Sequence, residues 1–409
     1  MVSSAMSGWF FALIVMFSVA VSFRNPRGQL ETVPNFSDQD PLISLVSSST
    51  VSLASSDGAR DFDSGNTTSF GLVYDFYGDT CPEAEIIVRS TMALLYSQHK
   101  NVSAGLLRLF FHDCFIRGCD ASVLLDDSFG NKSHSIEREA IPNQTLKGFE
   151  VIECIKEELE RVCPGVVSCA DILSLATRDG IVLAGGPFYP IFTGRRDSIQ
   201  SYHDEALAEI PRPDDNITQT LHLFSLRGFN ERETVSLLGG HNIGKISCQF
   251  IERRLTNFKG TGQPDPTIAP DFLKEMRRHC QENESTSSPA GSPASMPSQG
   301  KKASEFGVSY FEELSSSISS GSGFDTHYYQ SLLRGRGLLF ADQQLTANPK
   351  TARLVRAYAS DDGTTFRMDF AWAMLKMSNL NVLTGTQGEV RLNCSLPLAQ
   401  SLGSMSHQR

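Results

Sequence analysis

Fifteen consecutive residues constrain this chain more than any others: Arg108-Leu109-Phe110-Phe111-His112-Asp113-Cys114-Phe115-Ile116-Arg117-Gly118-Cys119-Asp120-Ala121-Ser122. The first half, preceded by Ala104-Gly105-Leu106-Leu107, reads as a helix. Arg108 and His112 are four apart, so they share one face of it. Gly118 and the two cysteines predict that the second half leaves the helix for a tight loop. A basic imidazole beside a fixed cation suits proton abstraction coupled to charge stabilisation. Asp113, Asp120 and the Ser122 hydroxyl are hard oxygen donors of the kind that hold calcium. A lone histidine on an apolar helix is more often a surface or core residue than a catalyst, and two close cysteines are more often a plain staple. The rest of the chain decides between these readings.

The N-terminus sets the compartment. Residues 9–23 are almost wholly apolar, too short to span a bilayer, and Ala20-Val21-Ser22 offers a small-x-small cleavage site. This predicts a signal peptide over 1–22 and an oxidising destination, extracellular or cell wall, with the vacuole as the other possibility because residues 395–409 form a tail that could sort the protein there. Eight Asn-x-Ser/Thr sequons fit that destination: Asn35, Asn66, Asn101, Asn131, Asn143, Asn216, Asn283 and Asn393. Net charge is −10 and no Lys/Arg run exceeds a pair, which excludes a nucleic-acid footprint. After removal of the signal no membrane segment is expected, and the chain reads as a monomer.

Residues 23–71 are rich in Ser and Asp and read as a disordered extension. From 72 onward helical periodicity dominates. Thr80-Cys81-Pro82-Glu83 predicts a helix start with Thr80 as N-cap, running to His99. Further helices are expected over 149–163, 168–184, 218–226, 231–238, 248–255, 270–280, 328–333, 349–360 and 361–378. Gly239-Gly240 reads as a helix stop just before His241. In Gly194-Arg195-Arg196-Asp197-Ser198, Arg196 is the expected ion-pair partner of Asp171. Residues 281–304 read as a flexible insert, and residues 395–409 as the tail. The ordered domain therefore spans 72–394, interrupted by that insert. Strand signals are few and short, so the class is all-α.

Nine cysteines leave one thiol over, and the sequence alone leaves their pairing open. Cys114 and Cys119 are close enough to bridge. Cys154, between Ile152 and Ile155 on an amphipathic helix, is the natural free thiol.

These stretches together resemble the secretory plant (class III) haem peroxidases. The resemblance rests on Arg108-x-x-Phe111-His112-Asp113-Cys114, Gly118-Cys119-Asp120-Ala121-Ser122, Val167-Ser168-Cys169-Ala170-Asp171, Gly194-Arg195-Arg196-Asp197-Ser198, Leu238-Gly239-Gly240-His241 and Leu383-Thr384-Gly385-Thr386-Gln387-Gly388, which occur in the family's order. It implies an all-α haem peroxidase fold, two helical halves sandwiching one haem b, with few short strands. It implies the disulfides Cys81–Cys163, Cys114–Cys119, Cys169–Cys394 and Cys248–Cys280. It also implies hydrogen peroxide and small phenolic donors as substrates, with lignification, wall cross-linking or peroxide removal as roles.

Residue by residue, the resemblance makes His241 the axial iron ligand and Asp342 its partner. His112 becomes the base, Arg108 the charge stabiliser and Asn143 the group fixing the His112 tautomer, which would leave that sequon unmodified. Phe111 shields the cofactor edge and Pro211 lines the donor site. Asp113, Asp120, Ser122 and the carbonyls of Ile116 and Gly118 hold one calcium, with Glu137 linked through water. The family's second calcium site uses a Thr after the axial His and then Asp-x-x-Thr/Ser-Pro-x-x-Phe-Asp. This chain departs from it: Asn242 follows His241, Ser317 stands where the first acid should be, and only Ser320 and Asp325 remain of the later ligands. Halving the carboxylate charge predicts a lost or weak second site. A competing reading is a secreted, peroxidase-like wall or calcium-binding protein with little turnover.

Overall fold

Helix caps and buried faces account for most of the architecture. The computed structural model describes residues 71–126, 135–285 and 323–398, with 281–285 described by backbone only. The expected signal peptide and extension, nearly all of the insert beyond 285, Ser317, Ser320 and the end of the tail lie outside the described residues. The helices are α1 (Ala84–Gln98), α2 (Val102–Phe115), α3 (Phe149–Val162), α4 (Cys169–Leu183), α5 (His203–Glu209), α6 (Ile217–Ser225), α7 (Glu231–Leu238), α8 (Glu252–Thr256), α9 (Pro270–Ser285), α10 (His327–Leu333), α11 (Phe340–Gln344), α12 (Pro349–Ser360) and α13 (Thr364–Ser378). Extended pairing among the described residues is limited to isolated bridges such as Val73 with Thr193 and Asp197 with Glu389. The class is all-α.

α4 is the pillar of the N-terminal half: every residue from Cys169 to Ile181 is buried, and α1, α2 and α3 all pack on it. Ser168 caps it by accepting from the Asp171 N–H at 3.1 Å. In the C-terminal half α13 packs on α7, and α12 on α10 and α7, while α13 also touches α2. α7 opens with a capping box, Asn230 and Glu233 each bonding the other's backbone N–H. That box fixes where α7 begins, and therefore where its far end presents His241.

The disulfides are Cys81–Cys163, Cys114–Cys119, Cys169–Cys394 and Cys248–Cys280, the four pairs implied by the resemblance, and Cys154 is free. Bridges spanning 82 and 225 residues restrict the unfolded chain most.

Several local expectations are corrected. Thr80 does not cap α1: its N–H and that of Cys81 both bond to the Tyr77 carbonyl, a turn that delays the helix to Ala84. α13 starts at Thr364, not 361, because Asp361 and Asp362 accept from the N–H groups of Thr365 and Thr364. The segment expected to be loose from 281 continues α9 to Ser285. Gly239 is not a left-handed stop. Its φ is −60° and the chain runs on in a 3-10 turn, Gly239–Asn242. Glycine is needed there because a Cβ would sit 2.3 Å from the Tyr329 hydroxyl and 2.4 Å from the Phe366 ring.

The Asp171 partner is Arg195, not Arg196. Arg195 Nη1 meets Asp171 Oδ1 at 2.7 Å with both side chains fully buried. Asp171 Oδ2 accepts from the Tyr77 hydroxyl and the Gly194 N–H, each at 2.7 Å. Arg195 Nε also donates to the Ser378 carbonyl at the end of α13, so one guanidinium ties the two halves together. Arg196 points the other way and donates to the Gln387 carbonyl. Removing one member of a buried, fully bonded ion pair costs about 3–5 kcal/mol, whereas a surface arginine costs under ~1 kcal/mol. Arg195→Ala is therefore expected to lower unfolding stability in denaturant titration by about that larger amount, and Arg196→Ala to leave it nearly unchanged. Equal effects would contradict this assignment.

Candidate active site

α2 delivers Arg108 and His112 to one face. His112 is 5% exposed, and its Nδ1 lies 2.6 Å from Asn143 Oδ1. Asn143 Nδ2 donates to the Glu137 carbonyl at 2.8 Å. With its amide nitrogen committed, Asn143 can offer only its oxygen to the imidazole. Nδ1 must then carry the hydrogen, and Nε2 is left with the lone pair. Burial, followed by the nearby Arg108 charge, pushes His112 down to about 3, against a smaller opposing effect of the Asn143 bond. The ring is therefore a neutral base across the physiological range. Arg108 is braced by the Pro142 carbonyl at 2.8 Å and the Thr145 hydroxyl at 3.0 Å. Burial brings it down to about 10, so it stays charged at neutral pH.

His241 sits on the turn after α7, and its Nδ1 donates to Asp342 Oδ1 at 2.8 Å. Burial lowers its basicity, but the Asp342 charge and hydrogen bond outweigh burial, and the net direction is up. Asp342 is lowered in turn: burial raises it, and the His241 charge and bond more than offset that. Its other oxygen accepts from the Leu339 N–H at 3.1 Å. The His241 side chain keeps 45% of its surface accessible even though protein surrounds it on the larger scale. Arg108 shows the same combination, and Phe111 is half-buried. Accessible side chains deep in a protein mark an internal void, here lying between α2 and the His241 turn. The two sides are within electrostatic reach, because Arg108 depresses His241. Phe111 packs at a tilt against Phe115 and Phe224, so its ring has a fixed place beside His112.

Next to α2 lies a buried acidic loop. Asp113 Oδ2 accepts from the Ala121 N–H at 3.1 Å and Asp120 Oδ1 from the Ser122 N–H at 3.0 Å. Burial raises Asp113 well above the usual carboxylate range, with Asp120 and Glu137 adding to it. Burial likewise raises Asp120 to about 6 and Glu137 to about 7. Ser122 Oγ and Glu137 Oε2 are buried with no hydrogen bond of proper geometry, although Ser122 lies close enough to lower both acids slightly. Three buried carboxyls and two orphaned oxygens fit a bound hard cation, although the buried Arg391 offsets part of the Asp120 charge. The Ile116 and Gly118 carbonyls line the same loop, and each accepts from a backbone N–H, of Gly118 and Asp120. The loop is closed by Cys114–Cys119. Gly118, at φ +143°, is forced: a Cβ there would meet the Leu380 and Asn381 carbonyls at 2.6 Å.

Pro211 is half-buried in the segment between α5 and α6, and the Pro213 carbonyl accepts from the Ala341 N–H beside Asp342. Asn242 is buried and its amide faces Asp325, whereas Ser320 lies outside the described residues. Of the sequons, Asn101 and Asn216 are exposed and Asn143 is 2% exposed with both ends of its amide bonded.

Sequence reasoning missed two groups. Tyr328, fully buried, donates to Asp342 Oδ1 at 2.9 Å, the same oxygen that serves His241. In Tyr328-Tyr329 it reads as core, and nothing in the spacing separates it from its neighbour. The Tyr202 N–H, bonded to Glu137 Oε1 at 3.1 Å, is a backbone contact that no side-chain pattern signals.

The profile of the family described as peroxidase matches residues 88–361. The chain is 47% identical over 342 residues to Peroxidase 48 of Arabidopsis thaliana, covering 81% of this chain and 83% of that one. It is 41% identical over 324 residues to Peroxidase 22 of the same plant, covering 78% and 85%. With Peroxidase N1 of Nicotiana tabacum it shares 40% identity over 330 residues, covering 80% and 90%.

Tyr328→Phe keeps the ring and removes one of the two donors on Asp342 Oδ1. The carboxylate then offers more charge to the imidazole, and the pKa of His241 in the protein without cofactor is expected to rise by about one pH unit in an NMR titration. An unchanged value would contradict a shared oxygen.

Proposed function

The chain belongs to the peroxidase family and is a haem peroxidase; from that premise we propose that Arg108, His112 and Asn143 on one side of the internal void, and His241 and Asp342 on the other, carry its reaction with hydrogen peroxide. The observation that carries this reading is the opposed tuning of two histidines that share one void. His112 is held neutral with Nε2 unprotonated, and His241 is held electron-rich by a buried carboxylate. Opposed environments of this kind assign one imidazole as base and the other as ligand.

His241 Nε2 would hold the iron of haem b, with Phe111 shielding the edge of the macrocycle. When bound, haem supplies an iron that takes peroxide and stores its two oxidising equivalents. His112 Nε2 removes a proton from the incoming peroxide and returns it to the departing oxygen. The Asn143 bond keeps Nδ1 protonated throughout, so the shuttle runs only through Nε2. Arg108, anchored to Pro142 and Thr145, offsets the negative charge that grows on the departing oxygen. Small phenolic donors then return two electrons singly, approaching past Pro211. One calcium ion at Asp113, Asp120, Ser122 and the Ile116 and Gly118 carbonyls, with Glu137 through water, holds the loop to which Asn143 is tied.

The protein acts after secretion, in the wall or vacuole, as a monomer. Lignification, wall cross-linking and peroxide removal are its roles. Among the described residues no helix is long and apolar enough to cross a membrane.

Stopped-flow spectroscopy of the haem-loaded protein tests the assignment. His112→Leu is expected to slow the reaction with peroxide by about 10²–10⁴-fold, and Arg108→Leu by about 10²–10³-fold. With His112 near 3, the wild-type rate should stay flat from pH 7 down to about 4.5 and fall as pH approaches 3, because protonation of Nε2 removes the base. A fall centred near the ordinary histidine value, about 6.5, would contradict the buried, neutral His112.

A further inference from the structure

The peroxidase reading carries a second calcium expectation, which the residues around Asn242 do not fit. We infer that this position is closed by an amide clasp instead of a cation, so that the protein holds one calcium ion, in the Asp113–Asp120 loop, and none beside the axial histidine.

Asn242 follows His241 directly and is 2% exposed. Its Nδ2 donates to the Asp325 carbonyl at 2.8 Å and reaches Asp325 Oδ1 at 3.3 Å. The His327 N–H donates to the same Oδ1 at 2.9 Å. One residue earlier, Arg367 Nη1 donates to the Phe324 carbonyl at 2.8 Å. The Asn242 side chain, which stands where the pattern has a ligand oxygen, thus presents an N–H to Asp325. A calcium ion needs six to eight oxygens at about 2.3–2.6 Å. An N–H aimed at two of them puts positive charge in the ion's place and blocks its approach. Turning the amide to present its oxygen would break both bonds and take from the half-buried Asp325 carbonyl the donor it has in Asn242. The sequence removes charge as well: Ser317 stands where the family pattern has its first acid.

The two halves therefore use different chemistry for the same task. The distal loop keeps buried acids that require a counter-ion. The turn carrying His241 is fastened to Asp325 by a neutral side chain that is always present, so its geometry does not follow the calcium supply.

Calcium in the haem-loaded protein, purified in millimolar calcium and desalted, is counted by atomic emission. One ion per haem is expected in the wild type and none in Asp120→Asn. Two ions in the wild type would overturn the clasp, and one retained by Asp120→Asn would overturn the placing of the single ion on Asp120. Asn242→Asp replaces the donor with a second carboxylate facing Asp325 and recreates a cation site. Its melting temperature should fall in chelator and rise by about 5 °C on adding millimolar calcium to the chelated protein, beyond the rise seen for the wild type. No added calcium response in that variant would also overturn the clasp. No ion at all in the wild type would instead overturn the distal assignment, which the Asn242→Asp response does not depend on. The wild-type count needs no variant to fold.

Discussion

The Asn143 side chain is the connection on which the distal side depends. Its oxygen takes the His112 hydrogen and its nitrogen gives one to the Glu137 carbonyl. One amide therefore sets which imidazole nitrogen is basic and fixes the ring to the acidic loop. Glu137 is held by the Tyr202 N–H and by Ser201, which accepts the Glu137 N–H. Ser201 also donates to the Ser122 carbonyl, so the chain of bonds returns to the loop beside α2. Disturbing the buried acids would move the carbonyl that positions Asn143, and through it the base. A loop closed by Cys114–Cys119 and the imidazole of His112, next to Asp113 in the chain, belong to one mechanical unit.

The proximal side solves the corresponding problem without a bound ion. Asp342 accepts from His241, Tyr328 and the Leu339 N–H, and so stays ionised in a fully buried position. That preserved charge keeps His241 electron-rich against the penalty of burial. The clasp from Asn242 to Asp325 holds the next residue in place. Gly239 allows the turn to pack against Tyr329 and Phe366, where any side chain would collide. Each half is over-determined by bonds around its histidine, and the distal half also holds three acids that burial raises, Asp113, Asp120 and Glu137.

Much of this was legible in the sequence, for identifiable reasons. The spacing of Arg108 and His112 needs only the helical repeat. The α4 cap follows from Ser168 ahead of an apolar run, and the free Cys154 from an odd cysteine on an amphipathic helix. Features that depend on the direction of adjacent side chains were not legible. Arg195 and Arg196 are chemically identical, and only the irregular backbone between α4 and α5 decides which one turns inward to Asp171. Thr80 has the right type for a cap, but the turn closed on the Tyr77 carbonyl leaves it too far ahead of the helix start at Ala84. Asn242 was readable as the loss of a ligand; that its amide replaces the lost interaction depends on the position of Asp325, eighty-three residues away. Tyr328 was hidden for the same reason.

The proposed coupling between the acidic loop and peroxide chemistry runs through Asn143. The most direct measurement is the rate constant for reaction with hydrogen peroxide as free calcium is lowered, in the wild type and in Asn143→Ala. The wild type should lose rate as calcium is withdrawn and regain it when calcium returns. Asn143→Ala should start slow and respond little, because the link is already cut. A wild type indifferent to calcium, or two proteins losing rate in parallel, would contradict it.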